Sequence, residues 1–526
     1  MPSAEIALAW AAAAVGVIGI VSALTPEMAN RVEIVRGVLP PGWPEAARVL
    51  TVTCGLGLIW LARSLAKRRR RAWQLAIAVV VASAVAHLAK GLDFEEATVS
   101  LALLVSLLRY RGRFEVPGDP AAVRPVLAAL AGFAAIAAVW LSVELRGAEL
   151  THRLADGLTG LGIALGCLAL WYWLRPFSQA VAQTVGERRA ARALVDAYGS
   201  DSLAFFALRR DKSYLFSPSR SAFLAYRVVA GTALVSGDPV GDEREFAELL
   251  RELRRLAHAN GWRLAVVGAS DEHLRRYRAL GLKPIPMGEE AVLRPDEFSL
   301  EGRAIRKVRQ SVARLRKAGY GFRVVAADAV DARLRAELDA VSAAWRGSQP
   351  ERGFSMTIDD LYVPGTLLAV TEGEDGRVGG FLHLAPSPRA GRLGGGWSLS
   401  TMRRSPGAPN GLTEFLIVET IAWAKKEGAS EVSLNFCALT DFLAPERATT
   451  PLKRLVRRGL LLADSAFQLE RLYAFNRKFF PEWRRRYICV ERFTDLPAVG
   501  LAYLHAESLL VPPGPGTRKH RHSAAA

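Results

Sequence analysis

The stretch from Gly394 to Gly428, GGGWSLSTMRRSPGAPNGLTEFLIVETIAWAKKEG, concentrates residues able to do chemistry. It reads as a strand over Gly396–Met402, a loop from Arg403 to Gly411, and a helix opening near Leu412. Leu412, Phe415, Leu416, Ile421 and Ala422 recur at helical spacing. A Gly/Pro-rich loop feeding a helix N-terminus presents backbone N–H groups and a positive dipole end, which suits an anion. Arg403 and Arg404 add forked donors matched to phosphate or carboxylate. Asn410 and Gly411 complete the loop. Glu414, in the first helical turn, either complements the dipole or holds a substrate ammonium; the sequence leaves both readings open.

A second group of cations lies in LYAFNRKFFPEWRRRYICV (Leu472–Val490). Here Phe475, Phe479, Phe480, Trp483 and Tyr487 are interleaved with Arg477, Lys478, Arg484, Arg485 and Arg486. Such a mixture lines a polyanion groove with stacking rings, or packs a core beneath a charged surface. A third group is the helix predicted over Phe298–Gly319. Its apolar stripe is Ile305, Val308, Val312 and Leu315, and seven cations from Arg303 to Lys317 cover the rest. A solvated face and a surface for tRNA phosphates or lipid headgroups both fit.

These groups need elements to position them. The 526 residues suffice for two or three domains. Before residue 180 the chain is mostly apolar runs; after it the composition is that of an α/β protein. Six segments approach the roughly 20 apolar residues of a membrane span: about 5–24, 46–65, 72–89, 94–109, 123–143 and 156–174. The fourth is the weakest. The first lacks a basic flank and is followed by further spans, so it does not read as a cleavable leader. Basic residues crowd the loops at 63–71 and 109–124, which the positive-inside rule assigns to the cytoplasm. Six crossings then leave both termini, and the large C-terminal part, on that side. The net charge of +18 suits an anionic partner, lipid or nucleic acid, or serves solubility alone. Four cysteines without a CxxC pair, and eight histidines without HExxH, give no metal or disulfide framework.

The soluble part begins with a connecting helix over Gln179–Val195. Strands follow at Leu203–Leu208, Ser213–Phe216, Ala222–Val229 and Thr232–Ser236, closed by the turn Gly237–Gly241. A helix (Glu243–Asn260), a strand (Arg263–Val267), a short helix (Asp271–Leu280) and a strand ending near Met287 complete a first unit. After the basic helix the pattern recurs: strand Gly321–Ala326, helix Asp331–Arg346, strands Leu367–Glu372 and Arg377–Ala385, the opening stretch, and strand Glu431–Phe436. The expected architecture is a transmembrane helical bundle (1–180) followed by two tandem α/β units (181–320 and 321–510) and a disordered tail (511–526). The first unit resembles an N-acetyltransferase-like fold.

Six motifs in order sharpen this: GDPVG (Gly237–Gly241), MGEEAV (Met287–Val292), FSLEG (Phe298–Gly302), MRRSPGAPNGLTEFLI (Met402–Ile417), SLNF (Ser433–Phe436) and FNRKFFPEWRRRY (Phe475–Tyr487). Together they resemble the synthase domain of the multiple peptide resistance factor family, bacterial aminoacyl-phosphatidylglycerol synthases, over roughly residues 195–500. The resemblance implies tandem acetyltransferase-like (GNAT) units. It implies transfer of a lysyl or alanyl group from aminoacyl-tRNA to inner-leaflet phosphatidylglycerol, without a cofactor, altering membrane charge and resistance to cationic peptides. It assigns Arg403 and Glu414 to catalysis. Arg404, Asn410, Gly411, Asn435, Lys478 and Arg486 would bind substrate, with Lys478 and Arg486 on tRNA or lipid phosphate. Glu289 and Glu290, like Glu414, would hold the aminoacyl ammonium. Where the family pattern has an acidic residue three positions before the arginine, this sequence has Ser400. With six spans, synthesis without an autonomous flippase module is expected, and no synthetase domain is fused. Two other readings remain: an acyl-CoA-dependent N-acyltransferase, which would need pyrophosphate at Arg404–Gly411, and a non-catalytic tRNA- or lipid-binding scaffold, which would bind charged tRNA without consuming it.

Overall fold

The structure, a computed structural model, describes residues 4–25, 43–118, 122–145, 152–174, 181, 183–347, 353–354, 357–387, 395–438 and 469–508. The expected tail lies outside them. The chain divides into two compact units, residues 1–179 with 256–262, and residues 180–255 with 263–526.

The first unit is helical. Each predicted apolar segment forms a helix: α1 (Ala4–Leu24), α2 (Trp43–Leu65), α3 (Arg70–Gly91), α4 (Phe94–Arg109), α5 (Val123–Leu145) and α6 (His152–Trp173). Among the described residues α1, α2 and α3 are long and apolar enough to cross a membrane. With 16 residues, α4 reaches about 24 Å, short of the roughly 30 Å hydrocarbon layer. Helices α1 and α2 meet backbone to backbone: a Cβ on Gly16 would lie 2.5 Å from the Gly55 carbonyl oxygen, the small-residue contact by which apolar helices pack. Lys90 is buried at the end of α3, donating to the Ser22 carbonyl at 2.9 Å and pairing with Asp93 at 2.7 Å.

The second unit is built on one twelve-stranded sheet. Helix α7 (Val185–Tyr198) opens it, its N-terminus closed by a reciprocal capping box between Thr184 and Glu187. Strands β1 (Ser213–Phe216), β2 (Ala222–Val229), β3 (Thr232–Ser236) and β4 (Val240–Gly241) form the first meander. Then come α8 (Phe246–Ala259), β5 (Arg263–Ala269), α9 (Leu274–Ala279), β6 (Lys283–Leu293) and the basic helix α10 (Arg306–Lys317). The second run is β7 (Gly321–Ala326), α11 (Ala332–Arg346), β8 (Leu367–Glu372), β9 (Val378–Ser387), β10 (Gly396–Arg404), α12 (Leu412–Lys426) and β11 (Val432–Ala438). It ends with α13 (Leu469–Asn476), β12 (Glu482–Val490) and α14 (Leu496–Ala506).

The strand order is β1-β2-β3-β5-β12-β6-β11-β10-β9-β8-β7, with β4 on β2. Two neighbouring pairs are parallel, β3 with β5 and β10 with β11; each is joined through a helix, α8 and α12, as a parallel crossover requires. The same module therefore occurs twice. The two copies exchange strands: β12 enters between β5 and β6, and β6 enters between β12 and β11. Both exchanged strands cross the boundary expected near residue 320.

Side-chain alternation sorts the second half into two layers. Leu368, Val370 and Phe381 pack with Leu334, Leu338 and Val341 of α11. Ala369, Leu382 and Leu384 pack with Leu412, Phe415 and Leu416 of α12 and with Val308, Val312 and Leu315 of α10.

Four local expectations change. Residues 204–208 form a 3₁₀ turn rather than a strand; a short apolar run buried all round carries no period to separate the two. Lys212 holds that turn, its wholly buried ammonium donating to the Phe206 carbonyl and Ser236 Oγ at 2.6 Å each, with the Phe354 ring 4.9 Å away. Helix α10 starts at Arg306 rather than Phe298, because Gly302 takes a φ of +88° that no helix contains. Strand β6 runs on past Met287 to Leu293. Strand β10 runs past Met402 to Arg404, so both arginines stand on a strand, not in the loop.

Candidate functional site

The predicted residues fall into two places in the second unit. The first is the end of β10 and the start of α12. Strand β10 breaks register against β9 between Leu399 and Thr401, so Ser400 occupies a bulge. A bulge re-aims the side chains that follow it. Ser400 Oγ accepts the Ile358 N–H at 2.9 Å, an acceptor role that a carboxylate at this position would share. Arg403 follows, 8% exposed, and Arg404 is half-buried. Across β10, the parallel pairing with β11 covers only Trp397–Val432 and Ser398–Ser433; beyond it no register between the two strands continues.

Gly411 caps α12 with φ +89°, and a Cβ there would lie 2.7 Å from the Ser311 side chain. Its requirement is therefore conformational. The Asn410 carbonyl accepts from Arg314 Nη2 at 2.5 Å, which ties the loop to α10. Glu414 and Lys478 come together: Lys478 Nζ lies 2.8 Å from Glu414 Oε1. Glu414 thus holds an ammonium, and the ammonium belongs to the chain.

The second place is a buried ion cluster at the exchanged strands. Arg486 on β12 is 4% exposed. Its Nε and Nη2 donate to Glu290 Oε2 at 3.0 and 2.5 Å. Its Nη1 and Nη2 donate to Asp201 at 2.5 and 2.9 Å, and Nη2 also reaches Ser202 Oγ at 2.9 Å. Ser202 and Ser433 hydroxyls each donate to Glu290 Oε1 at 2.5 Å. Burial by itself would raise the Asp201 carboxyl, but the Arg486 guanidinium outweighs it and holds that carboxyl below its usual range. Burial opposes the Arg486 cation, and Asp201 with Glu290 outweigh it, lifting its pKa well above the ordinary value.

This corrects two expectations. Arg486 does not face a phosphate: all its nitrogens already serve the carboxylates of Asp201 and the buried Glu290. Glu290 is not offered to a substrate ammonium, being held by Arg486, Ser202 and Ser433; it stands mid-strand, and Glu289 beside it is buried as well.

Asn435 links the two places. It takes φ +67°, a left-handed conformation uncommon outside glycine, where β11 loses register with β6 between Ser433 and Phe436. Its Nδ2 donates to the Leu399 carbonyl at 2.9 Å, one residue before the Ser400 bulge. A cavity of about 290 Å³ opens at the GDPVG turn, lined by Asp201, Leu203, Asp238, Val240, Phe246 and His273 among others. Burial, and then Asp201, push the Asp238 carboxyl up, and Tyr277 donates to it at 2.6 Å.

Sequence reasoning missed Asp201, Ser202 and Ser433, whose partners lie far along the chain. It also missed His383, which is fully buried on β9 opposite Thr401. Thr366 Oγ1 donates to the Val363 carbonyl at 2.7 Å, so at 2.9 Å from His383 Nε2 it must accept. His383 therefore carries its proton on Nε2. Its Nδ1 lone pair and the Ser398 hydroxyl have no partner among the described residues. Burial pushes the His383 pKa down to about 4, keeping the ring neutral. Two orphaned polar atoms, Ser398 Oγ on the bulged strand and His383 Nδ1 on its neighbour β9, are unusual in a native interior. In the first unit, His87, Asp93 and Glu96 bring ligand atoms within 4.8 Å of one another. Lys90 already neutralises Asp93 there, and a metal ion would have to displace it.

Residues 192–490 match the family model described as phosphatidylglycerol lysyltransferase, C-terminal. The lysylphosphatidylglycerol biosynthesis bifunctional protein LysX of Rhodococcus jostii is 37% identical over 369 residues, covering 69% of this chain and 33% of that protein. The LysX protein of Mycolicibacterium vanbaalenii is 33% identical over 502 residues, 87% of this chain and 45% of its own length. This chain thus spans between a third and a half of the length of those relatives. A DUF2156 C-terminal domain from Agrobacterium fabrum superposes with TM-score 0.53 at 25% identity, covering 61% of this chain and 96% of that one. L-PGS from Bacillus licheniformis superposes with TM-score 0.55 at 23% identity over 62% and 97%, a likeness of fold. The fold of the second unit is therefore shared with those domains, and with 192–490 matched the chain belongs to the phosphatidylglycerol lysyltransferase C-terminal-domain family.

Proposed function

We propose that this chain is a membrane-anchored aminoacyltransferase that moves a lysyl or alanyl group from aminoacyl-tRNA to phosphatidylglycerol. The observation that carries the reading is the family match over 192–490, within which the motif arginine, Arg403, stands buried just beyond a strand bulge and before a helix N-terminus. The donor is an activated ester. The lipid hydroxyl forms a new ester bond with the acyl carbon, and the tRNA ribose oxygen leaves carrying the proton that the hydroxyl gives up. Such a reaction needs two substrates held in line and a stabilised oxyanion, and no cofactor.

In this reading Arg403 contacts the oxyanion or the lipid phosphate, with Arg404 beside it. Glu414 receives the aminoacyl ammonium in place of Lys478, which is then released toward phosphate. Asn435 sets the separation of β10 from β11. The Arg486–Glu290–Asp201 cluster fixes the exchanged strands and acts through position alone. The apolar N-terminal helices anchor the chain in the cytoplasmic membrane, with the catalytic unit on the cytoplasmic side, where charged tRNA and inner-leaflet lipid are both available. Residues 181–320 and 321–510 serve as two cooperating GNAT-like units.

The test is lipid extraction from a host lacking aminoacyl-lipids, with and without this chain expressed, followed by mass spectrometry. A phosphatidylglycerol species heavier by one aminoacyl residue is expected, and its mass names the amino acid. Arg403→Ala is expected to abolish it while the protein still accumulates in the membrane. Folded protein with no new lipid would overturn the reading.

A further inference from the structure

His383 on β9 and Ser398 on β10 carry polar atoms that the fold leaves bare among the described residues. Neither side chain touches solvent. The His383 proton is committed to Thr366 through Nε2, so the bare atom is the Nδ1 lone pair, an acceptor. The bare Ser398 hydroxyl both donates and accepts. Other buried hydroxyls, Thr232 among them, also lack partners among the described residues. What sets this pair apart is where the two atoms stand.

The strand bulge puts them together with the motif arginine. Ser398 stands opposite Ala385, and Thr401 opposite His383. Paired residues share a face of the sheet, and so do residues two apart on one strand. Ser398, His383 and Thr401 therefore lie on one face, and Arg403, opposite Phe381, lies there too. A regular strand would put positions 398 and 403 on opposite faces; the extra residue at Ser400 brings them onto the same one. Leu399 and Met402 pack on the other face with α12, as this shift of phase requires. The parallel pairing of β10 with β11 ends at Ser398 and Ser433. In open α/β sheets, ligands enter the crevice at the carboxyl ends of parted strands. Ser398 stands at the root of that crevice, with His383 beside it on the next strand.

One hydroxyl satisfies both bare atoms, giving its proton to Nδ1 and accepting from Ser398. A phosphate or carboxylate has no proton for Nδ1, and an ammonium would be buried on the face that already carries Arg403. Ser400 supplies no alternative base: its Oγ accepts the Ile358 N–H, and a serine hydroxyl is not basic at neutral pH. We propose that His383 Nδ1 is the general base for the acceptor hydroxyl of the lipid, and that Ser398 Oγ holds that hydroxyl in line. The assignment rests on the transferase reading above. As the lipid oxygen bonds to the acyl carbon, its proton passes to Nδ1. When the bond from the acyl carbon to the tRNA ribose oxygen breaks, Nδ1 gives the proton to that oxygen, so the ring is neutral before and after. Burial keeps the resting ring neutral; Asp360 favours the transient imidazolium and Arg403 opposes it.

The experiment measures transfer by the full chain in phosphatidylglycerol nanodiscs, with lysyl-tRNA and with alanyl-tRNA, at saturating donor and lipid. A general base contributes about 10²–10⁴ in rate, so H383Q is expected to lower kcat at least about a hundredfold. KM for donor and lipid should stay within about threefold, since no uniform binding is lost. S400D in the H383Q background brings a carboxylate to the bulge opposite position 383, and is expected to recover at least about tenfold. S398A is expected to lower kcat about three- to tenfold at unchanged Tm, and T232A, an equally bare hydroxyl elsewhere, to leave it unchanged. A kcat in H383Q within about threefold of wild type overturns the assignment; if Tm falls with it, the two atoms hold a buried water and not the lipid hydroxyl. A loss that S400D does not relieve also overturns it, because His383 then supplies packing rather than basicity. If H383Q does not fold, S398A decides: a kcat equal to wild type overturns the assignment, and a loss at unchanged Tm upholds it. Wild type that yields no aminoacyl-lipid sinks the transferase reading and the base with it, whereas undiminished product from H383Q sinks the base alone.

Discussion

Replacing Arg486 with methionine tests the reading of the buried ion cluster as a frame. The substitution keeps most of the side-chain length and removes the charge. It leaves Asp201 and Glu290 without the guanidinium that both share. Breaking a buried pair in this way costs about 3–5 kcal/mol. The low end applies, because Ser202 and Ser433 still donate to Glu290 and the Leu203 N–H still donates to Asp201 at 2.7 Å. About 3 kcal/mol is a large share of a typical stability of 5–15 kcal/mol. At about 2–4 °C per kcal/mol for a large domain, Tm falls by about 6–12 °C. The assay is thermal unfolding of the detergent-solubilised chain by near-ultraviolet circular dichroism. R486M/E290M, which replaces the pair with apolar groups, is expected to recover at least half of the loss, since such replacements are often neutral. The acid limb gives an independent check. Asp201 has its folded pKa depressed, so its contribution is present above the unfolded pKa near 4 and is lost as pH falls through the lower folded value. The wild type should lose stability more steeply than R486M below about pH 4. An unchanged Tm in R486M, or a double variant no better than the single, would refute the argument.

Three further outcomes follow from the same geometry. The Glu414–Lys478 pair is half open to solvent on the lysine side, so Lys478→Ala should change stability by less than about 1 kcal/mol; Glu414→Gln should raise KM for the aminoacyl donor in a transfer assay without moving Tm. Lys212 is buried, and burial lowers its pKa to about 7. The unfolded chain then binds more protons than the folded one between about pH 7 and 10, so stability rises with pH across that window, and Lys212→Met should abolish the rise in a pH series of Tm values. His383→Leu removes a buried ring whose Nδ1 has no partner among the described residues; stability should stay within about 1 kcal/mol, while turnover in the lipid assay should fall if that lone pair serves the site.

The local elements were legible because their signals are local. Apolar runs near 20 residues marked the helices of the first unit, and the stripe of Val308, Val312 and Leu315 marked α10 and its buried side. Asp331 announced α11, and its side chain does accept the Leu334 N–H at 2.8 Å. The helix expected near Leu412 does begin there, with Gly411 as its cap. The boundaries of β6 and β10 were not legible. A strand ends where its neighbours stop pairing: β6 is continued by β12 and β11, far away in the chain, and β10 by the length of its register against β9, which pairs Arg403 with Phe381 and Arg404 with Gly380. That is why Arg403 and Arg404 read as loop residues yet stand on a strand.

The ordered motifs, the charge and the apolar segments are properties of the sequence alone, and by themselves they determined the family, the two-part organisation and the arginine motif. Only the tertiary structure decided which of the charged residues face outward. Asp201 and Arg486 are 285 residues apart, and nothing in either neighbourhood marks them as partners. They meet because β12 inserts beside β5 and β6, and that choice of neighbour is made by sheet pairing and burial summed over the whole unit. A buried guanidinium must find carboxylates, and an exposed one need not. The chain writes both with the same residue, so the pairing alone separates Arg486, which meets two carboxylates, from Arg306 on α10, which is exposed with no carboxylate partner among the described residues.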